Sequence, residues 1–149
     1  MTVLEPVRPS RTTVWGWSLI ALVCALLLTS AAWLFAAVGT PALFEADTGV
    51  SAAEFQAAYP SVAAELAGRG RTIALLLTAL ASLALMTAFA GWRTNAVWAH
   101  RTLWIFAAAL STIGASAAAN GRADVGAFHL GAGLLAAVGL LLARRRLGP

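Results

Sequence analysis

Four long apolar stretches, none carrying an acidic side chain, a lysine or an arginine, make up more than half of the 149 residues. They run over residues 15–39, 72–91, 102–119 and 126–143. Each approaches the ~20 residues that a helix needs to cross a ~30 Å hydrocarbon layer. A chain in hydrocarbon must satisfy its backbone polar groups internally, so stretches of this kind fold as helices. The expectation is an all-α fold: a bundle of four transmembrane helices with a partly helical extracytoplasmic loop between the first two. A hydrophobic content of 60%, a charged content of 11% and a mean hydropathy of +0.82 put the whole chain, and not only its spans, in the membrane class.

The charges set the expected orientation. All ten basic residues are arginine, and they flank the apolar stretches. Arg8, Arg11, Arg93, Arg101, Arg144, Arg145 and Arg146 fall in the N-terminal segment, the second loop and the tail, with Glu5 as the one acid there. The first and third loops hold Arg69, Arg71 and Arg122 against Glu45, Asp47, Glu54, Glu65 and Asp124. The positive-inside rule then places both termini in the cytoplasm and the first and third loops outside. This predicts a cytoplasmic segment 1–14, one membrane domain over 15–143 and a basic cytoplasmic tail 144–149, all in the cell membrane. Trp15, Trp17, Trp92, Trp98 and Trp104, with Arg93, Arg101 and Arg144 to Arg146, are the expected interfacial anchors. The net charge of +4 is topological in this scheme, so the bilayer and not nucleic acid is the expected partner. A cleaved signal peptide is a poorer reading of the N-terminus, because the first apolar run is far longer than a signal h-region of about 7–15 residues.

Between the first two spans, Gly39 and Pro41 read as a helix stop, and Ser51-Ala-Ala-Glu54 has capping-box spacing. A short helix over 52–59 follows, and Pro60-Ser61 opens a second one that continues into the second span, with Gly68 and Gly70 leaving the junction adjustable. Phe55 and Tyr59 share a face, four residues apart, expected to lie on the bundle or the outer headgroups. Asn120-Gly121 reads as a turn, with Asp124 capping the last helix. Small residues at Ala74, Thr78 and Ser82, and at Ala107, Ser111 and Ala115, recur every fourth position and predict close helix packing.

Few residues offer chemistry. Cys24 is the one cysteine, which excludes an internal disulfide or a CxxC redox centre. No acid, lysine or arginine lies within the spans to carry a coupled proton, and no HExxH, GxSxG or phosphate-binding loop motif is present. No catalytic residue, metal or cofactor is expected. The two histidines fall near opposite ends of their spans, too far apart to ligate one haem. His100, beside Arg101 and Trp104, reads as interfacial. His129 has Ala132, Gly133 and Ala136 on its helical face and is the ionisable residue expected inside the bundle, with Asn120, Ser116, Thr112 and Thr78 at similar depth and Thr29 and Ser30 deeper. That set is the candidate polar pocket; the plainer reading is that His129 hydrogen-bonds one of these groups and braces the packing.

The run Gly49-Val-Ser-Ala-Ala-Glu-Phe, then Tyr59-Pro60, Gly70-Arg71, Gly91-Trp-Arg and Val97-Trp-Ala, resembles small uncharacterised four-helix membrane proteins of high-GC, actinobacterial-type bacteria over residues 49–106. Where those relatives carry Glu-Arg before Trp-Ala-Trp, this chain has Thr94-Asn-Ala-Val. The resemblance implies fold and topology and brings no activity. Two functions fit these features. One is a non-enzymatic structural or accessory membrane protein, self-associating or part of a larger membrane complex. The other is a binder or carrier of a small apolar or amphipathic molecule, such as a lipid or quinone, in an outer-leaflet pocket around His129. A cavity at His129 favours the second and a filled core the first.

Overall fold

The computed structural model describes residues 11–94 and 96–143, without the side chains of Thr12 and Asp47. The segment before Arg11, the basic tail with Arg144, Arg145 and Arg146, and Asn95 lie outside the described residues. Within them the chain is all-α: α1 (Arg11–Ala37), α2 (Pro41–Thr48), α3 (Ala52–Ala58), α4 (Pro60–Thr94), α5 (Val97–Ala119) and α6 (Ala123–Ala143). Four of these, α1, α4, α5 and α6, are long and apolar enough to cross a membrane. Over the expected second loop, 92–101, α4 runs on through Arg93 to Thr94 and α5 begins at Val97.

The helix ends follow local chemistry. Gly39 takes φ 86°, and Pro41 opens α2 as its first residue, so the predicted stop holds but the same proline also starts a new helix. Gly49, at φ 70°, closes α2 with its N–H on the Glu45 carbonyl at 2.8 Å. At the α5–α6 turn, Gly121 at φ 79° donates to Ala118 O and Arg122 N–H donates to Ala117 O at 2.9 Å, the double bond pattern of a glycine-terminated helix. Asp124 falls inside the first turn of α6 and not at its cap; there its carboxylate faces the positive end of the helix dipole.

The capping box is half formed. The Ser51 hydroxyl accepts from Glu54 N–H at 3.5 Å, while the Ala52 N–H donates to Glu45 Oε1 at 3.0 Å, so a carboxylate from α2 contributes the second cap. Phe44 of α2 stacks on Phe55 at 4.9 Å, and Phe55 meets Tyr59 at 5.5 Å, extending the expected aromatic pair into a three-ring row. The longer serine bond is the weaker of the two. Ser51→Ala is therefore expected to loosen α3 by about 0.5 kcal/mol, the low end for a lost cap, and Glu45→Ala by more. Hydrogen exchange of the amides from Ala52 to Ala58 measures both; equal protection in Glu45→Ala and the parent would remove Glu45 from the cap.

The fold divides into two compact parts, one formed by α1 up to Cys24, α4 from Ala84, α5 and α6, the other by Ala25–Leu83. In the second, Val38 at the end of α1 approaches α4 so closely that a Cβ on Gly70 would sit 2.9 Å from its Cγ2. A glycine there secures close approach, and α4 is one unbroken helix through Gly68 and Gly70 where an adjustable junction was expected. At 35 residues, α4 is also longer than any crossing requires: ~52 Å at 1.5 Å per residue, against ~30 Å of hydrocarbon. Glu65 and Arg69 fall within the first three turns, ahead of the apolar stretch.

Burial along the long helices alternates by three and four residues. Buried positions on these stripes include Thr13, Trp17, Ile20, Cys24, Leu27 and Ala31 in α1, and Ala74, Ala81, Ala84 and Ala88 in α4, with Val23 and Thr87 buried beside them. In α5 they include Ala99, Leu103, Ala107, Leu110 and Gly114, and in α6 Gly126, His129, Gly133, Ala136, Leu140 and Ala143. A step of four residues drifts by about 40° around a helix, so a strict every-fourth ridge leaves the packed face within two steps, whereas a 3.5-residue alternation stays on it. This corrects the ridges expected at Ala74, Thr78 and Ser82, and at Ala107, Ser111 and Ala115: Thr78 and Ala115 are exposed, and Ala81 and Gly114 take the packed positions.

Candidate functional site

The first part of the fold is held by two seams along α6. On α5, Ala107 and Ser111 lie over Gly133, where a Cβ would meet Ser111 Oγ at 2.5 Å and Ala107 O at 3.0 Å. Further along, a Cβ on Gly114 would meet Leu130 N at 2.6 Å, and one on Gly126 would meet Ala118 Cβ at 2.8 Å. Near the other end of α6, Gly139 and Ala143 press against Gly16 of α1, the Gly139 carbonyl lying 2.5 Å from where a Gly16 Cβ would be. Hydrocarbon supplies no hydrophobic drive between helices, so such backbone approach is what makes the packing favourable.

His129 sits on this packed face and is 8% exposed, with Ala132, Gly133 and Ala136 buried beside it as their spacing predicts. Its Nδ1 lies 2.9 Å from the Val125 carbonyl one turn back. A carbonyl only accepts, so Nδ1 carries a proton and donates it within the same helix. The Phe128 ring stands edge-on to the imidazole at 5.2 Å.

The other members of the expected pocket lie elsewhere. Thr112, Ser116 and Asn120 recur at four-residue spacing on a face of α5 that is exposed, and none of them bonds His129. Thr112 Oγ1 donates to Ala108 O at 3.0 Å and Asn120 Nδ2 to Ser116 O at 2.7 Å. Thr78 belongs to the second part of the fold, exposed, its hydroxyl on Ala74 O at 2.9 Å; Thr29 there likewise bonds Ala25 O. Each of these side chains closes on its own helix, the cheapest way to satisfy a hydroxyl or amide away from water. Among the described residues, His129 is thus braced by its own helix and not by the polar groups at similar depth.

This gives a direct expectation for its replacement. The Val125 carbonyl keeps its place in the helix ladder when the imidazole goes, so His129→Leu leaves no buried polar group stranded. A change in stability below about 1 kcal/mol is expected for both His129→Leu and His129→Gln, set by packing alone, and is read as the melting temperature in mild detergent. A loss well above that for Leu but not Gln would show that the imidazole has a partner beyond Val125.

His100 is buried at 8% exposure, and the Trp104 indole N–H donates to its Nε2 at 3.2 Å with the rings edge-on. An indole nitrogen only donates, so Nε2 is unprotonated in this arrangement and the imidazole is neutral with its proton on Nδ1. The i, i+4 spacing of His100 and Trp104 was visible in sequence, but the burial of His100 depends on what packs over α5. Trp17, also expected as an anchor, is buried, with Cη2 2.8 Å and Ala99 Cβ 2.9 Å from where a Gly91 Cβ would lie. Trp15, Trp92, Trp98 and Trp104 are exposed, and Arg93 lies over the Phe89 ring at 5.4 Å.

Ala107 faces Gly133 and Ala118 faces Gly126, so α5 and α6 run antiparallel. That pairing puts His100 and His129 roughly 20 Å apart along the seam at 1.5 Å per residue, too far for one metal or haem. Among the described residues, no group of three His, Cys, Asp or Glu side chains gathers to hold a metal ion.

Large apolar side chains cover the outward faces of the spans, among them Leu22 and Leu26 of α1, Leu76 and Met86 of α4, Ile105 of α5 and Leu134 of α6. Exposure of that extent belongs to a lipid-facing surface. The fold is that of a multi-pass membrane protein with four apolar helices. Compared with known proteins, the chain matches no protein family, no curated protein sequence and no solved structure.

Proposed function

We propose that this chain is a non-enzymatic structural or accessory protein of the bacterial cytoplasmic membrane, self-associating or part of a larger membrane complex, with both termini in the cytoplasm. The observation that supports the reading is the closed α5–α6 seam on the face that carries His129: at Gly114, Gly126 and Gly133 there is no room for even a methyl group. A ligand pocket needs a few hundred Å³. The arginine asymmetry supports the orientation, and the likeness to four-helix proteins of high-GC bacteria supports the source.

Extraction in mild detergent followed by mass spectrometry of co-purifying proteins and lipids tests the proposal. A second copy of the chain or a stoichiometric partner protein is the expected result. A monomer that carries a quinone or another small molecule, lost on His129→Leu, would overturn it in favour of the carrier reading.

A further inference from the structure

A shallow, open groove lies on one face of α4 where the helix leaves its apolar stretch, lined by Glu65, Gly68, Arg69, Thr72 and Ile73 of that helix alone. Its floor is bare backbone, since nothing lies within 4 Å of where a Gly68 Cβ would be. The Thr72 hydroxyl is held on Gly68 O at 3.0 Å. The chemistry of the walls is ordered along the helix axis. Glu65 lies farthest from the apolar stretch, Arg69 one turn nearer, and Ile73 and Leu76, both more than half exposed, begin the lipid-facing surface. Successive levels are ~6 Å apart at 1.5 Å per residue.

We propose that this groove binds an ethanolamine phospholipid, independently of the structural role argued above. Such a lipid carries its groups in the same order: an ammonium outermost, a phosphate beneath it, acyl chains below. The Arg69 guanidinium offers paired N–H donors to the phosphate oxygens, the Glu65 carboxylate accepts from the ammonium, and Ile73 and Leu76 meet the start of the chains. Glu65 and Arg69 already pair with each other, but with their side chains 60% and 71% exposed the pair is well solvated and holds little energy against an incoming zwitterion. The carboxylate also sets selectivity. A phosphatidylglycerol headgroup brings no cation to Glu65, and a choline headgroup brings one without an N–H to donate.

The test is native mass spectrometry of the purified full chain, delipidated and titrated with phosphatidylethanolamine, phosphatidylglycerol or phosphatidylcholine of matched chains. The wild type is expected to prefer the ethanolamine lipid by roughly tenfold, the worth of one charge-assisted hydrogen bond. Gly68→Leu fills the groove from a position whose Cβ has nothing within 4 Å, so it is expected to remove that preference while the melting temperature holds. Glu65→Gln is expected to bring the ethanolamine and glycerol lipids level, and Arg69→Gln to weaken both. Glycerophosphoethanolamine, the same headgroup without chains, should compete poorly.

Equal or better retention of phosphatidylglycerol by the wild type, or unchanged ethanolamine preference in Gly68→Leu, would overturn the site. The same spectra report oligomeric state. Loss of the lipid preference with an intact oligomer rejects only the groove, and a specific lipid on a partnerless monomer rejects only the structural role.

Discussion

Gly114→Val and Gly16→Val are each expected to destabilise the folded protein by about 3 kcal/mol, the upper end for overpacking a close-packed site, whereas Gly131→Val should cost less than about 1 kcal/mol. The contrast comes from what the new side chain meets. At Gly114 the added Cβ falls 2.6 Å from Leu130 N and 2.9 Å from Gly126 O; at Gly16 it falls 2.5 Å from Gly139 O and 2.6 Å from Ala143 N. These neighbours are backbone atoms of α6, which cannot swing aside, so the helices must part and lose contact along the seam. At Gly131 nothing lies within 4 Å. Thermal unfolding in mild detergent, with the three variants side by side, makes the comparison. If Gly114→Val and Gly131→Val melted at the same temperature, the α5–α6 seam would not be the contact that holds this part of the fold together.

The second large effect is all-or-none labelling. In a Cys24→Ala background, cysteine at Ala53 of α3 is expected to react fully with a membrane-impermeant thiol reagent on intact cells, and cysteine at Thr94 to react only after the membrane is opened. Both positions are exposed, so accessibility within the protein does not limit either one. The native thiol must be removed to keep the background clean, although Cys24 is itself buried. The reverse pattern would invert the orientation inferred from the arginines and place α2 and α3 in the cytoplasm. It would leave the helices and their seams untouched, because nothing in the packing depends on which side is outside.

The spans were legible because they depend on a property summed over about twenty residues. A run such as residues 126–143, without a single charge, has one solvent available to it whatever its neighbours do. The turns at Gly39 and Asn120-Gly121 were legible for an equally local reason, a left-handed conformation that glycine adopts without strain. The polar set around His129 was less so. Equal depth in the bilayer says nothing about direction around the helix axis, and Thr112, Ser116 and Asn120 point away from the seam that buries His129. In helices this rich in alanine, several faces look equally small, and Ala74, Thr78 and Ser82 form as regular a series on paper as Ala74, Ala81 and Ala88.

Membrane residence, the number of apolar spans and the arginine pattern are thus properties of the chain alone, because each follows from the free energy of a segment in water or in lipid. Which face of each helix is buried is decided only by packing. Contact between helices depends on atoms brought together from distant parts of the chain: Gly16 with Gly139, Gly91 with Trp17, Gly114 with Leu130. That is why Trp17 and His100 are buried on packed faces and why Glu45 caps a helix it does not belong to.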